Sequence, residues 1–589
     1  MIVILFFDFE VFKSDWLVVA IDPINKSEFV IVNDRKKLEE LYSRYKRDIW
    51  VGYNCRDYDQ YILKAILCGF NPKVMNDWII VKDRKGWEFS SVLRKISLNL
   101  FDVMPNPPVS LKTLEGFMGK NIHETSVPFD IDRKLTPQEI SETINYCRDD
   151  VLNTIEVFLR RKGEFDAQMD LLKAFGLPLS CVGKTQAQLA AVIFDAHKQN
   201  FNDEWDIRLP DNLDLGKYKF VGDWFLDKKN HKYEHTVIGK SGKAKVEKVH
   251  LECEIAGLPH IIAWGGIHAG QVINMTCKPD EVIIDADAGQ LYPNLMRIYN
   301  LLSRAARKPE MLTYILDTSM RLKAEGKKKE REPYKRQCNI VYGASGDKTN
   351  ALYDPLMRNL VCVYGQVFFI DLIDKIEDIA QIINSNTDGI FFKCKKKDLP
   401  ELYKRIEAWE ERTQLKMEYA EYTKFVSKDV NNYVAVMTSG KLHCKGAYVK
   451  ELNDLDYDLP IVNEAVKNYI VYGYRVEDTV FSNRNIRSFQ KIVKLSKKYE
   501  WVEHENEQGT TKFDNKAYRT FASLDDSDGR LMACRMTSKG LEKKKFGGTS
   551  DKCFILNDDL TDISIPKKLD YQWYIDLAYK RLRDFGVIV

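Results

Sequence analysis

Residues Glu281 to Asn300, EVIIDADAGQLYPNLMRIYN, constrain the fold more than any other stretch of the chain. Val282, Ile283 and Ile284 form a short apolar run of the buried-strand kind. The run leads into Asp285 and Asp287, two residues apart, a spacing that a strand places on one face. Gly289 follows, and Leu291-Tyr292-Pro293 opens an amphipathic segment. Pro293 suits a first helical turn, where its missing N–H leaves nothing unpaired. The expected unit is strand, acidic turn, helix, with an Asp at the strand's end. A carboxylate there can hold Mg²⁺ against a polyphosphate; a capped strand-to-helix turn is the plain alternative.

Two later stretches supply the missing context. Lys335 to Gly343, KRQCNIVYG, reads K-x3-N-x2-Y-G. Ser385 to Ile390, SNTDGI, reads as a tight acidic hairpin tip. In order and spacing the three resemble motifs A, B and C of the family B DNA polymerases. Motif A there reads D-x2-S-L-Y-P, matched by Asp287 to Pro293 with Gln290 in the Ser position. Motif C usually reads D-T-D-S, matched by Asn386-Thr387-Asp388-Gly389. The first Asp of motif C is therefore Asn386, a departure; the second, the family's main metal ligand, is kept as Asp388.

The resemblance implies that Asp287 and Asp388 hold two Mg²⁺ ions, with Mn²⁺ as a substitute, and that Tyr292 lies under the sugar of an incoming dNTP. Lys335 and Asn339 are four apart and Tyr342 follows at i+3, so one helix face would present all three to the nucleotide. Two helices are expected between motifs A and B, over Pro309–Ala324 and Glu332–Tyr342. Lys323, closing the first, and Lys327 after it are further phosphate candidates, with a solvated loop as the alternative. Tyr433 stands where the family has a K-x-Y element near the primer terminus; the Lys position is Asn431, and Lys445 is the expected substitute. Trp264-Gly265-Gly266 is similar to the family's Y-x-G-G linker, with Ala263 in the Tyr position.

The amino-terminal third carries a second acidic set. Ile2 to Phe7 reads as a central strand, followed by Asp8 and Glu10 on one face. Asn54 to Asp59 gives N-x3-Y-D, and Tyr146 to Asp150 gives Y-x3-D on a helix expected over Ile144–Phe158. Together these resemble the Exo I, Exo II and Exo III motifs of DnaQ-like 3′–5′ exonucleases. The resemblance implies Asp8, Glu10, Asp59 and Asp150 as ligands of two metal ions, Tyr146 orienting the attacking water, and Asn54 on the substrate. Lys112 reaches the substrate strand or is a solvated helix-start lysine.

The expected architecture is α/β and α+β multidomain. An RNase H-like exonuclease domain spans 1–165 and a connecting region 166–262, mostly helical over Leu171–Gln199. A right-hand polymerase follows, with palm at 263–300 and 344–445, fingers at 301–343 and a thumb at 446–589 built of helical runs and basic loops. Arg519, Lys494 and Lys543 are the thumb's phosphate contacts in this reading. The expected partners are primer–template DNA and dNTPs, then a helicase, a primase and a single-strand-binding protein. The expected chain is a monomer of compact viral, bacteriophage type, acting in the host cytoplasm. An exonuclease with a degenerate polymerase half and a non-catalytic DNA-binding scaffold are the rival readings.

Composition limits the rest. The net charge of +3 makes the whole molecule no strong polyanion binder. Charge is local instead: Arg321 to Arg336 carries eight Lys/Arg against three Glu, and shorter basic runs lie at Lys491–Lys498 and Lys543–Lys545. The twelve cysteines show no CxxC pair, which predicts reduced thiols rather than a zinc or disulfide framework. No segment is expected to span a membrane.

Overall fold

The computed structural model describes residues 2–238, 244–513 and 515–588. The chain is multidomain and forms two compact units. One comprises residues 1–183, 452–461 and 480–574; the other comprises 184–451, 462–479 and 575–589. The segment 446–589, expected as one domain, is therefore divided between them.

The first unit is α/β. Its mixed five-stranded sheet runs in the order Ser27–Val32, Trp16–Asp22, Ile4–Val11, Ile49–Gly52, Asn99–Asp102. The first three strands are antiparallel and the last two run parallel to the central one. Ile4–Val11 takes the centre because it is apolar on both faces: Leu5, Phe6, Phe7, Phe9 and Val11 are all buried. The strand runs on past Phe7, so Asp8 and Glu10 sit inside the ladder rather than after it. A helix at Pro137–Arg160 covers this strand and its neighbour Trp16–Asp22. Thr136 and Glu139 form its capping box and Pro137 opens it. Its buried stripe, Thr143, Cys147, Val151, Thr154 and Phe158, repeats at helical spacing.

The later part of this unit corrects the sequence reading. Instead of helical runs, residues 491–555 form seven strands in two sheets. Two of the turns are marked in the sequence by Gly509 and Gly540, each closing a tight hairpin. Arg519 is not a surface phosphate contact. It is fully buried, and its guanidinium donates to the carbonyls of Leu556, Asp558, Gly116 and Lys120 at 2.6–3.2 Å. It ties the 517–522 strand to the loop after the Leu111–Phe117 helix. Arg519→Ala would leave these carbonyls without a donor, so a loss of about 3 kcal/mol or more in urea unfolding is expected. Lys543 is equally committed, to Glu503 at 2.6 Å and to Glu505.

The second unit is α+β. A ten-stranded antiparallel sheet runs from Leu442–Lys445 through Asn432–Met437, Met417–Asp429, Glu281–Ala288, Gly389–Lys395, Gln381–Ser385, Gly266–Gly270 and Leu258–Ala263 to His250–Ile255. Ile273–Thr276 pairs with Met417–Asp429. Two strands of this sheet come from the segment expected to be only connecting structure. The expected helical stretch 171–199 is broken between the Lys162–Ala174 and Gln186–Ile193 helices, where Gly176 has a φ of 61° and Pro178 cannot continue a helix.

Pro355–Ile376 is, against expectation, long and apolar enough to cross a membrane, with a mean hydropathy of 1.5. Its most apolar window is 94% buried inside the protein, which makes it the core helix of this unit. All twelve cysteines are unpaired, eight of them buried.

Candidate active sites

The strand Glu281–Ala288 lies between Gly389–Lys395 on one side and Met417–Asp429 on the other. Register places Asp287 opposite Gly389 and, across the other edge, opposite Glu418. The backbone N–H of Ala288 donates to the Asp388 carbonyl at 2.9 Å. Asp287 and Asp388, 101 positions apart in the sequence, are thus neighbours at adjoining strand ends.

Gly389 makes this approach possible. A Cβ at that position would lie 2.0 Å from Asp287 Oδ1, so any larger residue after Asp388 would push the Asp287 carboxylate aside. Asn386 shapes the tip. Its Oδ1 accepts from the backbone N–H of Asp388 at 3.0 Å and of Gly389 at 2.8 Å. An Asx turn of this kind needs only an oxygen, which an amide supplies as well as a carboxylate does. Gly266, at a φ of 145°, lies against Thr387 of the same tip, where a Cβ would come 2.7 Å from Thr387 Oγ1.

A cavity of about 570 Å³ opens beside these acids. Asp287, Asp388, Tyr292, Lys335, Asn339 and Lys323 all line it. Leu291–Ile298 is the helix after the acidic strand, entered through Gln290 in the left-handed region. The two expected helices are present at Glu310–Ala324 and Lys328–Ser345. The second is longer than expected at both ends. Lys335 and Asn339 are exposed on it, and the Lys335 ammonium has no carboxylate within ion-pair distance among the described residues. Tyr342 packs its ring on Tyr292, 4.1 Å between centroids. Lys327 pairs with Glu325.

Two lining residues were not foreseen. Glu418 carries no motif; only cross-strand register brings it opposite Asp287. It ion-pairs with Lys323, so that lysine is not a free phosphate ligand in this state. Arg331 also lines the cavity, within the basic run already noted. Tyr433 is not on the cavity wall. It is 3% exposed, in an aromatic cluster with Phe391, Phe425 and His443. Lys445 lies 5.9 Å over its ring.

Burial and the facing acids Asp287 and Asp388 push Asp285 up to about 8, against the pull of Lys445. Burial, Asp388 and Glu418 push Asp287 up to about 6. Asp285 is 7% exposed and its Oδ1 has no hydrogen-bond partner. A cluster of oxygen donors whose charges oppose one another suits a hard divalent cation. Carboxylates titrate near 4 when unfolded, so between about pH 4 and 8 the native state binds more protons and stability falls as pH rises. A divalent cation bound among these acids would offset that loss. Mg²⁺ is therefore expected to raise the melting temperature more at pH 8 than at pH 5, in paired scans with EDTA.

The first unit holds the other acidic set. Asp8 and Glu10 come from the central strand, Asp59 from the start of the Asp59–Leu67 helix, and Asp150 and Tyr146 from Pro137–Arg160. Oxygens of Asp8 and Glu10 and the Cys147 sulfur lie within 4.8 Å of one another, a candidate metal-ligating cluster. Asp59 is 2% exposed and accepts from the Phe9 N–H at 3.2 Å. Burial pushes it up to about 8. Burial, then Asp59, Glu10 and Asp150, raise Asp8 well above the usual carboxylate range. Burial, then Asp150 and Asp59, do the same to Glu10.

Lys112 is not solvated. Its Nζ donates to Asp150 Oδ1 at 2.6 Å and to Glu115 Oε1 at 3.2 Å, 4.7 Å over the Tyr146 ring. Glu115 was not foreseen; it is fully buried, and burial pushes it up to about 7. Asn54 sits at the turn after Ile49–Gly52 with a φ of 57°, its N–H held by Asp102 Oδ1 at 3.0 Å.

No protein-family model and no curated protein matches the chain. Among solved structures it is similar to the family B DNA polymerase from the hyperthermophilic archaeon Pyrobaculum calidifontis. Identity is 14%, the match covers 100% of this chain and 78% of that one, and the TM-score is 0.42. A likeness that weak decides nothing about activity, so the functional reading rests on the two acid sets themselves.

Proposed function

We propose that the chain is a template-directed DNA polymerase with a 3′–5′ exonuclease that trims the strand it extends. The observation that carries this reading is the meeting of Asp287, Asp388, Tyr292, Lys335 and Asn339 around one cavity. Motif residues drawn from three separate stretches have no structural reason to share a wall.

In this reading Asp287 and Asp388 would hold two Mg²⁺ ions, which would supply charge neutralisation for a triphosphate and lower the pKa of a primer 3′-hydroxyl. Lys335 draws the triphosphate by charge alone, a task suited to a mobile ammonium. Asn339 and Tyr342 pack against the nascent base pair, and Tyr292, against the Tyr342 ring, lies under the sugar. In the first unit Asp8, Glu10, Asp59 and Asp150 hold the cations for hydrolysis, and Tyr146, braced by Lys112, orients the water. The large sheet of the second unit serves as palm and the 310–345 helix pair as fingers. A viral, bacteriophage-type replicative role as a monomer in the host cytoplasm, beside helicase, primase and single-strand-binding protein, belongs to the same proposal. Asn386 shapes the hairpin tip without a carboxylate; the rival reading, a degenerate polymerase half, predicts no primer extension.

One 5′-labelled primer–template tests both halves. With Mg²⁺ and dNTPs the primer lengthens; with Mg²⁺ alone it shortens. Absence of lengthening with intact shortening would leave only the nuclease. Tyr292→Ala is expected to raise ribonucleotide insertion about tenfold or more by opening the floor beneath the sugar, one steric contact being worth 1–3 kcal/mol. Unchanged discrimination in single-nucleotide kinetics would remove Tyr292 from that role.

A further inference from the structure

Residues 72–96 of the first unit form an insertion between the Asp59–Leu67 helix and the edge strand Asn99–Asp102. It is knitted around Trp78. The Trp78 Nε1–H donates to the Lys85 carbonyl at 3.1 Å, its ring meets Phe89 edge-on, and Lys82 and Arg84 stand 5.6 and 5.7 Å from its centroid. Gly86 lies flat on the Tyr61 ring. The outer surface is apolar where a surface loop should be polar: Val81 is 72% exposed, Ile80 63% and Trp87 58%.

Between these groups stand Lys82, Arg84, Lys85, Arg94 and Lys95, all exposed. None of the five has a carboxylate within 4 Å among the described residues. In the carboxyl-terminal basic runs Lys491, Lys498, Lys543 and Lys545 each face a carboxylate at 2.5–2.9 Å, while Lys494, Lys497 and Lys544 face none among the described residues and have no exposed indole between them. Unpaired cations interleaved with a half-buried and an exposed indole make a surface that suits a chain of phosphates bearing flat bases. An apolar protein partner would gain nothing from the five charges.

The insertion is tied to the acid set of its own unit. Asn76, at its base, accepts from the Tyr58 hydroxyl at 2.7 Å, and Tyr58 directly precedes Asp59 in the chain. The Pro72–Asn76 helix packs on the strand that bears Asp8 and Glu10.

We infer that residues 78–95 are a docking platform for single-stranded DNA, with Trp87 as the stacking face and Lys82, Arg84 and Lys85 on the phosphates. Its role as the seat of the unpaired strand being trimmed rests on the exonuclease reading; the binding does not.

The test uses the full chain in EDTA with a fluorescein-labelled oligothymidylate, read by anisotropy, and with a 5-iodouracil oligomer for photocross-linking and peptide mapping. Trp87→Ala is expected to weaken binding about tenfold and Trp87→Phe to restore most of it. Arg84→Ala/Lys85→Ala should flatten the salt dependence by about two ion-release steps. Cross-links should fall on the peptide spanning residues 78–95. All of these side chains are exposed, and a melting scan checks each variant's fold. Binding unchanged within about twofold in Trp87→Ala, with cross-links elsewhere, overturns the platform. So does a Trp87→Ala variant whose only change is loss of a dimer in sedimentation, since the patch would then be a protein contact. Digestion that survives Asp8→Ala would sink the exonuclease reading instead and leave the binding result standing.

Discussion

Asp388→Asn is expected to lower primer extension by about a thousandfold or more, since a lost cation ligand removes several kcal/mol of transition-state stabilisation. Digestion of the same labelled primer should be unchanged. The substitution is close to isosteric and Asp388 is exposed at the hairpin tip, so the turn keeps its form. What changes is charge at a carboxylate that acts on Asp287 across the strand ends, beside Glu418 on the other edge. The neighbouring position provides the control. Asn386→Asp restores the pattern usual in the resembling family, yet Asn386 already accepts both backbone N–H groups of the tip. Extension by Asn386→Asp should therefore stay within about threefold of the parent, less than 1 kcal/mol. A large gain on that substitution would mean that the position ligates a cation and that the parent is impaired there. Full activity of Asp388→Asn would remove the second unit's acids from the chemistry.

The residues that met around the cavity were readable because their chemistry is written in local spacing. Asp287 ends an apolar strand run, Lys335 and Asn339 repeat on a helix, and Asp388-Gly389 marks a turn. Glu418 was not readable for the opposite reason: MEYAEY offers two acids, Glu418 and Glu421, and only register against Asp287 selects one of them. Glu115 was hidden likewise, since nothing in SLKTLEGF shows that a buried carboxylate will take the far side of Lys112. The carboxyl-terminal strands were lost because scattered charges masked an alternation that Gly509 and Gly540 punctuate. Arg519 did leave a signal. An arginine inside AYRTFA, a strand-length apolar run, has to be buried or to break the run, and the carbonyls ending two other segments make burial possible.

Asp8→Ala is expected to abolish primer digestion, again by about a thousandfold or more, while extension stays unchanged. The same variant carries a second, independent signature. Asp8 lies close to Asp59, Glu10 and Asp150, and Lys112 is the cation that opposes them among the described residues. Removing one of four mutually repelling carboxylates relieves the native state when no cation is bound. In EDTA at pH 8 the variant should therefore melt above the parent. Added Mg²⁺ should stabilise the parent and do little for the variant, because binding to the native state alone is what raises the midpoint. The relief depends on charge, so it should shrink towards pH 4, where the acids are protonated in both chains. A structural role for Asp8 predicts the reverse order of midpoints, with the loss of digestion following from a weakened fold. The two accounts thus separate on a melting curve taken without substrate, before any nuclease assay is run.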